Sequence, residues 1–496
     1  MTMQYTLGVD IGTFETKAVL VDQNGVILSQ AHKGHKMLVP KPGWAEHRPN
    51  EDWWGDFCEV SKSVIAQSQV DAVEIKAVAC SAIGPCMLPI DQDGEPLMNG
   101  VLYGVDTRAH QEIDYLNEEI GEDRIMAVCG NSLTSQSVGP KILWLKRNRP
   151  EIYEQTHKIL TSTSFLVHHL TGQYVIDHYT AANFTPLYDI HTQTWSDALT
   201  QDIISLEALP DLHWSTDIVG RVSEKAAHET GLPKGIPVTT GTIDAAAEAV
   251  SVGVSDVGDT MCMYGSTIFM ISITEDRVKD PRLWYAPWLL EGQHASMAGL
   301  ATSGTLTHWF REHFAKDLTL EISFGELRKE AALSAPGANG LVFLPYFSGE
   351  RTPIHDPDAK GVLFGLRLDH TRGDIYRGLI EGIAFGTRHV VDTFVESGTK
   401  TNQFFAVGGG TKNELWLQTT SDITGFDQIV REKTVGASYG DAFLAALAVG
   451  LVKPSKISVW NPTERTVRSE NDVALEHNYA IFKHLYTVTK DLMKLL

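Results

Sequence analysis

One local pattern occurs once in each half of the chain and limits the folds that the chain can adopt. An apolar strand runs into a tight turn of glycine and hydroxyl residues, and a second apolar strand follows at once: GVDIGTFETKAVLVD at residues 8–22 and GDTMCMYGSTIFMISI at residues 258–273. The two segments share no alignable sequence, but each reads as an antiparallel hairpin. A chain of 496 residues is too long for one hydrophobic core. We therefore expect a duplicated domain, divided into residues 1–248 and 249–496.

The first half predicts a mixed α/β domain. Its first three apolar segments, YTLGVD, TKAVLVD and VILSQAH, predict three successive strands. In EDWWGDFCEVSKSVIAQS the apolar residues recur at helical spacing, so this segment predicts a helix. A strand (IKAVACSAIG) and two further helical segments (GPKILWLKRNRPEIYEQ and STSFLVHHLTG) follow. Strands and helices that alternate in this way are typical of an α/β architecture.

Charge and cysteine usage exclude several classes of function. A formal charge of −21 argues against nucleic acid or an anionic membrane as partner. The five cysteines are scattered without a CxxC pair, and no basic, apolar leader or membrane-length apolar run is present in the sequence. We therefore expect reduced thiols, a cytoplasmic location and a small-molecule partner, with a homodimer as one option for the assembly.

The two hairpins offer a way to hold phosphate that differs from the common nucleotide motifs. Neither GxxxxGK[ST] nor a strand–GxGxxG–helix segment occurs in the sequence. A tight glycine turn exposes backbone N–H groups to phosphate oxygens, and neighbouring hydroxyls add donors. Asp10 can hold Mg²⁺ or its waters, which neutralise phosphate charge. The alternative is that Asp10 and Gly12 only form a hairpin turn.

Two other segments carry a functional and a structural interpretation side by side. Gly408–Gly410 follow an apolar strand and precede a helix, so they either let a nucleoside approach the backbone or form a tight turn. Asp244 follows a strand and precedes an alanine-rich helix, so it is either a helix N-cap or a general base. The His32/His35 and His168–His169 pairs lack metal-site context and are expected to be surface or hydrogen-bonded histidines.

Several segments, in order along nearly the whole chain, together resemble the FGGY family of carbohydrate kinases, and in particular its xylulokinase-like members. DIGTFETKAVLVD resembles the first phosphate motif, MYGSTIF the second, and AVGGGTKNELWLQTTSDITG the adenosine motif. GTIDAAAEAVSVG is similar to the catalytic-base segment, and PYFSGERTPIHDPDAKGVLFGL to a loop-and-strand region of xylulokinase-like and gluconokinase-like members. The order and spacing of these segments make the resemblance specific.

The resemblance implies an α/β fold of two ribonuclease-H-like domains of the actin/sugar kinase superfamily around a central cleft. The implied reaction transfers the γ-phosphoryl group of ATP to a sugar hydroxyl. In it, Asp244 is the catalytic base and Asp10 organises Mg²⁺. The other residues implied to hold ATP are Gly12, Thr13, Lys17, Gly265, Ser266, Thr267, Gly408, Gly409, Gly410 and Asn413.

The acceptor suggested by the resemblance is a ketopentose such as D-xylulose, with gluconate, ribulose or another polyol as alternatives. The sequence departs from xylulokinases where Gly84-Pro85 replaces a Met-His pair and where Ala245 follows the base. The residues expected at the sugar are Gly84, Pro85, Tyr103, Asp106, Arg108, Gln136 and Asp244. An actin- or Hsp70-like ATP-driven assembly or chaperone module is the alternative from another class, since it shares the hairpins and the fold.

Overall fold

A computed structural model describes residues 3–470 and 473–496 of the chain. The residues cluster into two compact units. The first comprises Met1–Ser255, Tyr285–Ala295 and Val435–Asn461, and the second comprises Asp256–Trp284, Ser296–Thr434 and Pro462–Leu496. Two segments of the second half of the sequence thus belong to the first unit. The division into 1–248 and 249–496 concerns sequence domains and stays a prediction.

The first unit is built on one mixed sheet that contains the predicted opening hairpin. Tyr5–Ile11 pairs antiparallel with Glu15–Asp22, which pairs antiparallel with Ile27–Gly34. On its other side Tyr5–Ile11 runs parallel to Ile75–Ala82, which runs parallel to Pro237–Thr239 and Thr242–Ile243. Ile218–Arg221 closes this edge in the antiparallel direction. The strands predicted from the apolar runs are confirmed.

The second unit repeats this strand order. Ile268–Thr274 pairs antiparallel with Asp259–Tyr264, which runs parallel to Gln403–Val407. Gln403–Val407 runs parallel to Gln428–Arg431, and Thr463–Val467 closes the edge in the antiparallel direction. The successive strand pairings across each sheet are therefore antiparallel, parallel, parallel and antiparallel in both units. A duplicated domain requires this shared order. The chain passes from one unit to the other within the strands Trp284–Pro287 and His294–Leu300.

Small residues let two helices of the first unit approach the sheet and each other closely. A Cβ atom on Gly8 would lie 1.9 Å from the carbonyl oxygen of Ser438, in the helix Ala437–Ala448. A Cβ atom on Gly440, in that same helix, would lie 1.9 Å from the carbonyl oxygen of Ala247 in the helix Asp244–Ser251. These approaches fix the positions of Asp441 and Glu248, which both matter below.

The remaining elements surround the two sheets. In the first unit the other helices of seven or more residues are Pro49–Gly55 (a π-helix), Asp56–Ser68, His110–Ile120, Glu122–Cys129, Val138–Asn148, Ser162–Thr171 and Glu224–Thr230. In the second unit they are Gly304–Phe314, Leu320–Ala332, Arg372–Glu396, Glu414–Thr424 and Val473–Met493. Shorter helices are Pro150–Tyr153, His178–Ala181 and Ile457–Trp460. Two-stranded sheets pair Glu46–His47 with Gly100–Val101, Leu88–Ile90 with Lys158–Leu160, Val175–Asp177 with Asp211–His213, Tyr188–Asp189 with Thr194–Trp195, and Val342–Leu344 with Val362–Phe364.

The helices predicted in the first half are confirmed. Within residues 3–470 and 473–496, no helix combines the length and the apolarity that crossing a membrane requires.

Candidate active site

The turn of the first hairpin begins after Ile11, one residue beyond Asp10. The backbone N–H of Gly12 donates to the carbonyl oxygen of Glu15 across 2.8 Å and closes the turn. A Cβ atom on Gly12 would lie 3.0 Å from that same oxygen, so the turn accepts a side chain there only with a shift. Lys17 lies directly opposite Asp10 on the neighbouring strand, and its ammonium group forms a 2.7 Å ion pair with Glu15.

Four carboxyl groups of the first unit gather around the end of the first strand. Asp10 is the next-to-last residue of that strand, and Ser81 lies beside it on the parallel neighbour. The Ser81 hydroxyl lies 3.3 Å from Oδ1 of Asp10 and 2.7 Å from Oδ2 of Asp441. Asp244 and Glu248 come from the first and second turns of the adjoining helix. Strand register and close helix packing thus bring together residues that are far apart in the sequence.

Burial and mutual repulsion raise the pKa of each of these carboxyl groups. Burial raises the pKa of Asp10 to about 7, although Lys17 and the Ser81 hydroxyl oppose the shift. Burial followed by the charge of Asp10 raises the pKa of Asp244 and of Asp441, and raises that of Glu248 to about 7. Because like charges share a desolvated space, the cluster favours a compensating positive charge.

Asp244 occupies the first helical position, and Ile243 is the N-cap residue. The Asp244 carboxyl group accepts a 2.7 Å hydrogen bond from the N–H of Ala245. Behind it, the buried Asp177 accepts hydrogen bonds from the hydroxyls of Thr242, at 2.8 Å, and Ser215, at 2.9 Å. Asp177 therefore fixes the strand that delivers Asp244. The N-cap interpretation of Asp244 is wrong, and its assignment as general base stays a prediction.

The oxygen donors around Asp10 fit a hydrated magnesium ion. In the part of the chain that the structure describes, no three His, Cys, Asp or Glu side chains form a ready-made metal cage. Mg²⁺ needs none, since it keeps several waters and binds through one or two carboxylates together with substrate phosphates. Oδ1 of Asp441 is buried without a hydrogen-bond partner, so the cluster holds an acceptor that a metal-bound water could satisfy.

The residues predicted at the sugar fall into two groups. Gly84 is near the base segment, because a Cβ atom on it would lie 2.9 Å from Cγ1 of Ile243. Tyr103 reaches the phosphate turn through a 3.3 Å contact between its hydroxyl and that of Thr13. Gln136 accepts a 3.2 Å hydrogen bond from the N–H of Gly104. Gly84 therefore adjoins the base segment and Tyr103 the first hairpin, while Gln136 is bound to the residue after Tyr103 and Pro85 follows Gly84 in the chain.

Asp106 and Arg108 form the second group, and they bind each other. Nη2 of Arg108 lies 2.7 Å from Oδ2 of Asp106 and 2.8 Å from Oε1 of Glu46, with the Arg108 side chain fully buried. Asp106 also accepts a 2.7 Å hydrogen bond from the N–H of Ala45. The Arg108 guanidinium stacks on the Trp44 ring, 3.9 Å from its centroid. The structure gives these two residues a bracing role, while contact with a sugar stays a prediction.

The second hairpin is closed and held by a neighbouring segment of its own unit. The N–H of Gly265 donates to the carbonyl oxygen of Thr267 across 3.0 Å. The N–H groups of Ser303 and Gly304 donate to the carbonyl oxygens of Ser266 and Gly265, at 3.0 and 3.1 Å. A Cβ atom on Gly304 would lie 2.4 Å from the Gly265 oxygen, so this approach depends on glycine. The ATSG segment at residues 301–304 was missed in the sequence because nothing local links it to the turn.

A pocket of about 420 Å³ opens beside this hairpin in the second unit. Of the residues predicted for the nucleotide, those lining it are Gly265, Ser266, Gly409, Gly410 and Asn413. The aromatic and cationic walls are completed by five residues that were not candidates in the sequence: His308, Phe324, Arg328, Tyr376 and Trp416. Gly408 has φ +96°, and a Cβ atom on it would lie 2.7 Å from the Tyr264 carbonyl oxygen, so this position requires glycine. A Cβ atom on Gly409 would meet no atom within 4 Å, so the backbone there faces open space.

The first unit holds a carboxyl cluster with a base candidate, and the second unit holds a glycine-lined aromatic pocket beside a hydroxyl turn. These are the parts of a phosphotransferase. A model of the FGGY family of carbohydrate kinases, N-terminal domain, matches residues 5–251, and the C-terminal domain model of the same family matches residues 260–449. The chain belongs to the FGGY family of carbohydrate kinases, and it is a sugar kinase. This decides against the ATP-driven assembly or chaperone module.

Individual relatives cover the chain almost completely. The chain is 30% identical over 501 residues to the xylulose kinase of Bacillus subtilis, a match that covers 99% of the chain and 98% of the relative. The crystal structure of xylulose kinase from Rhodospirillum rubrum superposes with a TM-score of 0.92 at 28% identity, covering 99% of this chain and 100% of that one. The structure of Plasmodium falciparum glycerol kinase with ADP superposes with a TM-score of 0.87 at 24% identity, covering 99% and 98%. That last likeness concerns the fold alone, and the two-domain α/β fold is confirmed.

Proposed function

We propose that this chain transfers the γ-phosphoryl group of ATP to a hydroxyl of an uncharged ketopentose, with D-xylulose as the first acceptor to test. The observation that carries the proposal is Asp244, a carboxyl group held at the end of a strand beside Asp10 in the first unit. The names of the relatives support the choice of sugar. The ADP in the solved glycerol kinase and the glycine-lined pocket support an adenine nucleotide. A cytoplasmic location and a homodimer stay predictions.

Asp244 acts as the general base in this proposal. Its carboxylate accepts the proton of the sugar hydroxyl as the oxygen attacks the γ-phosphorus, and ADP leaves. Asp244 ionises more readily once the charge of Asp10 is compensated, because that charge contributes to the raised pKa of Asp244. Positioning and charge compensation supply most of the catalysis of such reactions. The Mg²⁺ ion that Asp10 and its neighbours would hold neutralises phosphate charge when bound.

The turns hold the phosphates through backbone N–H groups and hydroxyls. Thr13 contributes from the first hairpin, and Ser266 and Thr267 from the second. The N–H groups of Gly12 and Gly265 close the turns, so these two glycines contribute by letting the phosphates approach the backbone. Lys17 adds positive charge near Asp10, as its influence on the pKa of Asp10 indicates. Gly408, Gly409, Gly410 and Asn413 lie along the nucleoside in this proposal, and the open space at Gly409 supports it.

The charges around Arg108 favour an uncharged acceptor over an aldonate such as gluconate. Recognition of a sugar carboxylate calls for a cation whose charge is not already compensated. Arg108 is the one cation among the residues predicted at the sugar, and its Nη1 atom is buried without a hydrogen-bond partner. Two carboxylates, Asp106 and Glu46, already neutralise it. The nearby Lys141 ammonium group is buried and donates to the carbonyl oxygens of Leu102 and Tyr103. Burial lowers its pKa to about 8, which leaves it mostly charged near neutral pH, but two of its three donors are already bound to these carbonyl oxygens.

An ADP-release assay across a panel of acceptors tests the proposal. D-xylulose, D- and L-ribulose, glycerol, erythritol and gluconate are each offered with ATP and Mg²⁺, alongside a reaction without sugar. We expect D-xylulose to give a kcat/KM of at least about 10⁴ M⁻¹s⁻¹ and gluconate to be the poorest acceptor. A preference for gluconate would contradict the charge argument. If another neutral sugar is the best acceptor, only the assignment of xylulose as the acceptor changes. If no sugar stimulates ADP release, the proposed function itself is contradicted.

A further inference from the structure

Three successive peptide carbonyls of the first phosphate turn are bound by two histidines. Nε2 of His35 lies 3.0 Å from the carbonyl oxygen of Gly12, and Nε2 of His47 lies 3.1 Å from that of Thr13. The backbone N–H of His35 donates to the carbonyl oxygen of Phe14 across 2.9 Å. The two imidazole rings meet edge to face, 4.9 Å between centroids. Every carbonyl from residue 12 to residue 14 is therefore turned towards this histidine pair.

The partners of His47 fix its protonation state. Its Nδ1 lies 3.1 Å from Nε1 of Trp53, and an indole nitrogen can only donate. Nδ1 must therefore accept, and the ring hydrogen sits on Nε2, where it is donated to the Thr13 carbonyl. A second hydrogen on Nδ1 would break the bond to Trp53. Burial, with the nearby charge of His35, accordingly lowers the pKa of His47 to about 4.

His35 has the opposite requirement. Its Nδ1 lies 2.9 Å from Oδ2 of Asp56 and its Nε2 faces the Gly12 carbonyl, so both of its nitrogens face acceptors. Only the imidazolium form can donate to both. Burial alone would lower the pKa of His35, but the hydrogen bonds to Asp56 and Gly12 and the charges of Asp56 and Asp52 outweigh burial and raise it. Arg48 and Lys33 also feel the charge of Asp56, and each is paired with another acid: Arg48 with Asp52 at 2.6 Å and Lys33 with Glu59 at 2.8 Å.

Holding the carbonyls also sets the direction of the amide hydrogens. In a trans peptide the C=O of one residue and the N–H of the next point in opposite directions. With the carbonyl oxygens of Gly12 and Thr13 bonded to imidazoles, the N–H groups of Thr13 and Phe14 point away from the histidine pair. A phosphate site of this kind needs successive N–H groups turned the same way before the ligand arrives.

We propose that His35 and His47 are positioning residues that preorganise the first phosphate turn, so that its N–H groups face the polyphosphate of the nucleotide. This inference rests on the proposed function, since it takes the turn to bind phosphate. In the proposed function, neither residue is among those placed at the sugar or at the transferred phosphoryl group. Replacing the two histidines is therefore expected to lower the affinity for a nucleoside polyphosphate. The affinity for the nucleoside alone should stay the same, because the pocket of the second unit would hold it.

The protonated state of His35 makes the hydrogen bonds of the turn depend on pH. Because the folded state raises its pKa, both hydrogen bonds are present at low pH and one is lost as pH rises through that pKa. Affinity for the polyphosphate is therefore expected to fall as pH rises. His47 contributes no step near neutral pH, since it is already uncharged there.

Substitutions that differ only in hydrogen bonding separate positioning from packing. In His47→Gln, the amide can accept from Trp53 through its oxygen and donate to the Thr13 carbonyl through its nitrogen. His47→Leu keeps the bulk and loses both bonds. His35→Gln keeps one donor but does not titrate. His32→Ala is the matched control, because His32 is an exposed histidine three residues from His35.

Calorimetric titration with the non-hydrolysable analogue adenylyl imidodiphosphate, and separately with adenosine, tests the proposal without requiring turnover. We expect His47→Leu to weaken analogue binding by about 10-fold and adenosine binding hardly at all, with His47→Gln and His32→Ala close to the original chain. Between about pH 6 and pH 9, the carboxyl cluster around Asp10 titrates in both proteins. The ratio of the analogue affinity of the original chain to that of His35→Gln should therefore fall as pH rises.

Two outcomes would overturn the proposal. One is a folded His47→Leu that binds the analogue as tightly as the original chain; the other is a pH response that His35→Gln shares in full. If His47→Leu does not fold, the His35→Gln profile decides alone. Failure of the proposed function would look different: analogue binding would respond to the histidines while no sugar stimulated ADP release.

Discussion

Ser81 donates its single hydroxyl hydrogen to Asp441 across 2.7 Å, and the same oxygen lies 3.3 Å from Asp10. One hydrogen cannot serve two carboxylates at once, so one of the two lacks this donor whenever both are ionised. The backbone N–H of Ser81 also donates to Asp441, at 3.1 Å, which leaves Asp10 as the less satisfied partner. Asp10 is thus the carboxyl group of the pair that gains most from a cation.

We expect Asp10→Asn to raise the Mg²⁺ concentration for half-maximal activity by at least about 10-fold, because the amide removes the negative charge that attracts the ion. Activity measured over a Mg²⁺ titration at saturating ATP checks this. Glu59→Gln is the matched control, since Glu59 is an exposed acid of the same unit. An unchanged Mg²⁺ requirement in Asp10→Asn would assign Asp10 to the turn alone.

Asp244→Asn should lower kcat by about 10²–10⁴-fold, the usual contribution of a general base, while ATP binding changes little. The amide keeps the shape of the side chain and can still accept from the N–H of Ala245. The measurement is the rate of sugar phosphorylation beside calorimetric binding of the ATP analogue. Near-full turnover by a folded Asp244→Asn protein would leave Asp244 with a structural role only.

Local patterns in the sequence predict the hairpins and Asp10 because strands, turn glycines and the acid that precedes them are neighbours along the chain. Asp441 could not be predicted in this way. It stands in a helix of small residues, GASYGDAFLAALAVG, and reaches Ser81 only because Gly8 and Gly440 allow the helix to approach. The same limit applies to the ATSG segment behind the second turn and to His47. The ATSG segment and His47 each contact a turn that is distant in the sequence. Contacts of this kind produce no periodic pattern from which they could be predicted.

Asp106 and Arg108 show a different limit of prediction from sequence, since their residue types suggest one role and their contacts another. The residue types of YGVDTRA suit a sugar site, and their pairing with each other and with Glu46 is invisible in the sequence. The two possible roles of this pair are to brace the fold and to bind the sugar. A stability measurement separates the two roles.

Arg108→Met should lower the free energy of unfolding by about 3–5 kcal/mol, because it leaves the buried Asp106 and Glu46 without their counter-charge. Urea unfolding of the variant beside the original chain checks this. Arg147→Met is the matched control. Its guanidinium likewise stacks on an aromatic ring, 4.0 Å from the Tyr115 centroid, but its side chain is 39% exposed. An Arg108→Met protein of unchanged stability with a raised KM for the sugar would make Arg108 a sugar ligand instead.

Two adjacent glycines of the pocket beside the second hairpin should respond differently to the same substitution. A Cβ atom on Gly410 would lie 2.7 Å from the Trp416 ring and 2.8 Å from Cβ of Tyr264, whereas one on Gly409 would meet no atom within 4 Å. We expect Gly410→Ala to lower the melting temperature by several degrees, since overpacking costs about 1–3 kcal/mol, and Gly409→Ala to leave it unchanged. Differential scanning calorimetry compares the two. Equal melting temperatures would mean that Trp416 moves freely, and would weaken its assignment as a fixed wall of the pocket.

The second unit should lose stability in acid through Asp374. This carboxylate lies in the first turn of the 25-residue helix Arg372–Glu396. It accepts hydrogen bonds from the Ser334 hydroxyl at 2.6 Å, the Asn339 amide at 2.7 Å, and both the N–H and the hydroxyl of Thr371. Burial opposes ionisation, but these bonds outweigh it and lower the pKa of Asp374 to about 2.

Because the folded state depresses this pKa, the stabilisation is complete above the pKa of the unfolded chain, near 4, and disappears as pH falls through about 2. It amounts to about 2 kcal/mol. We expect the original chain to lose this amount relative to Asp374→Asn between about pH 6 and pH 2, measured as the difference between their urea unfolding free energies at each pH. Asp369→Asn, which changes an exposed acid of the preceding loop, should follow the original chain. If the difference between the original chain and Asp374→Asn is the same at every pH, the four hydrogen bonds do not favour the ionised carboxylate, and Asp374 serves the helix only by its shape.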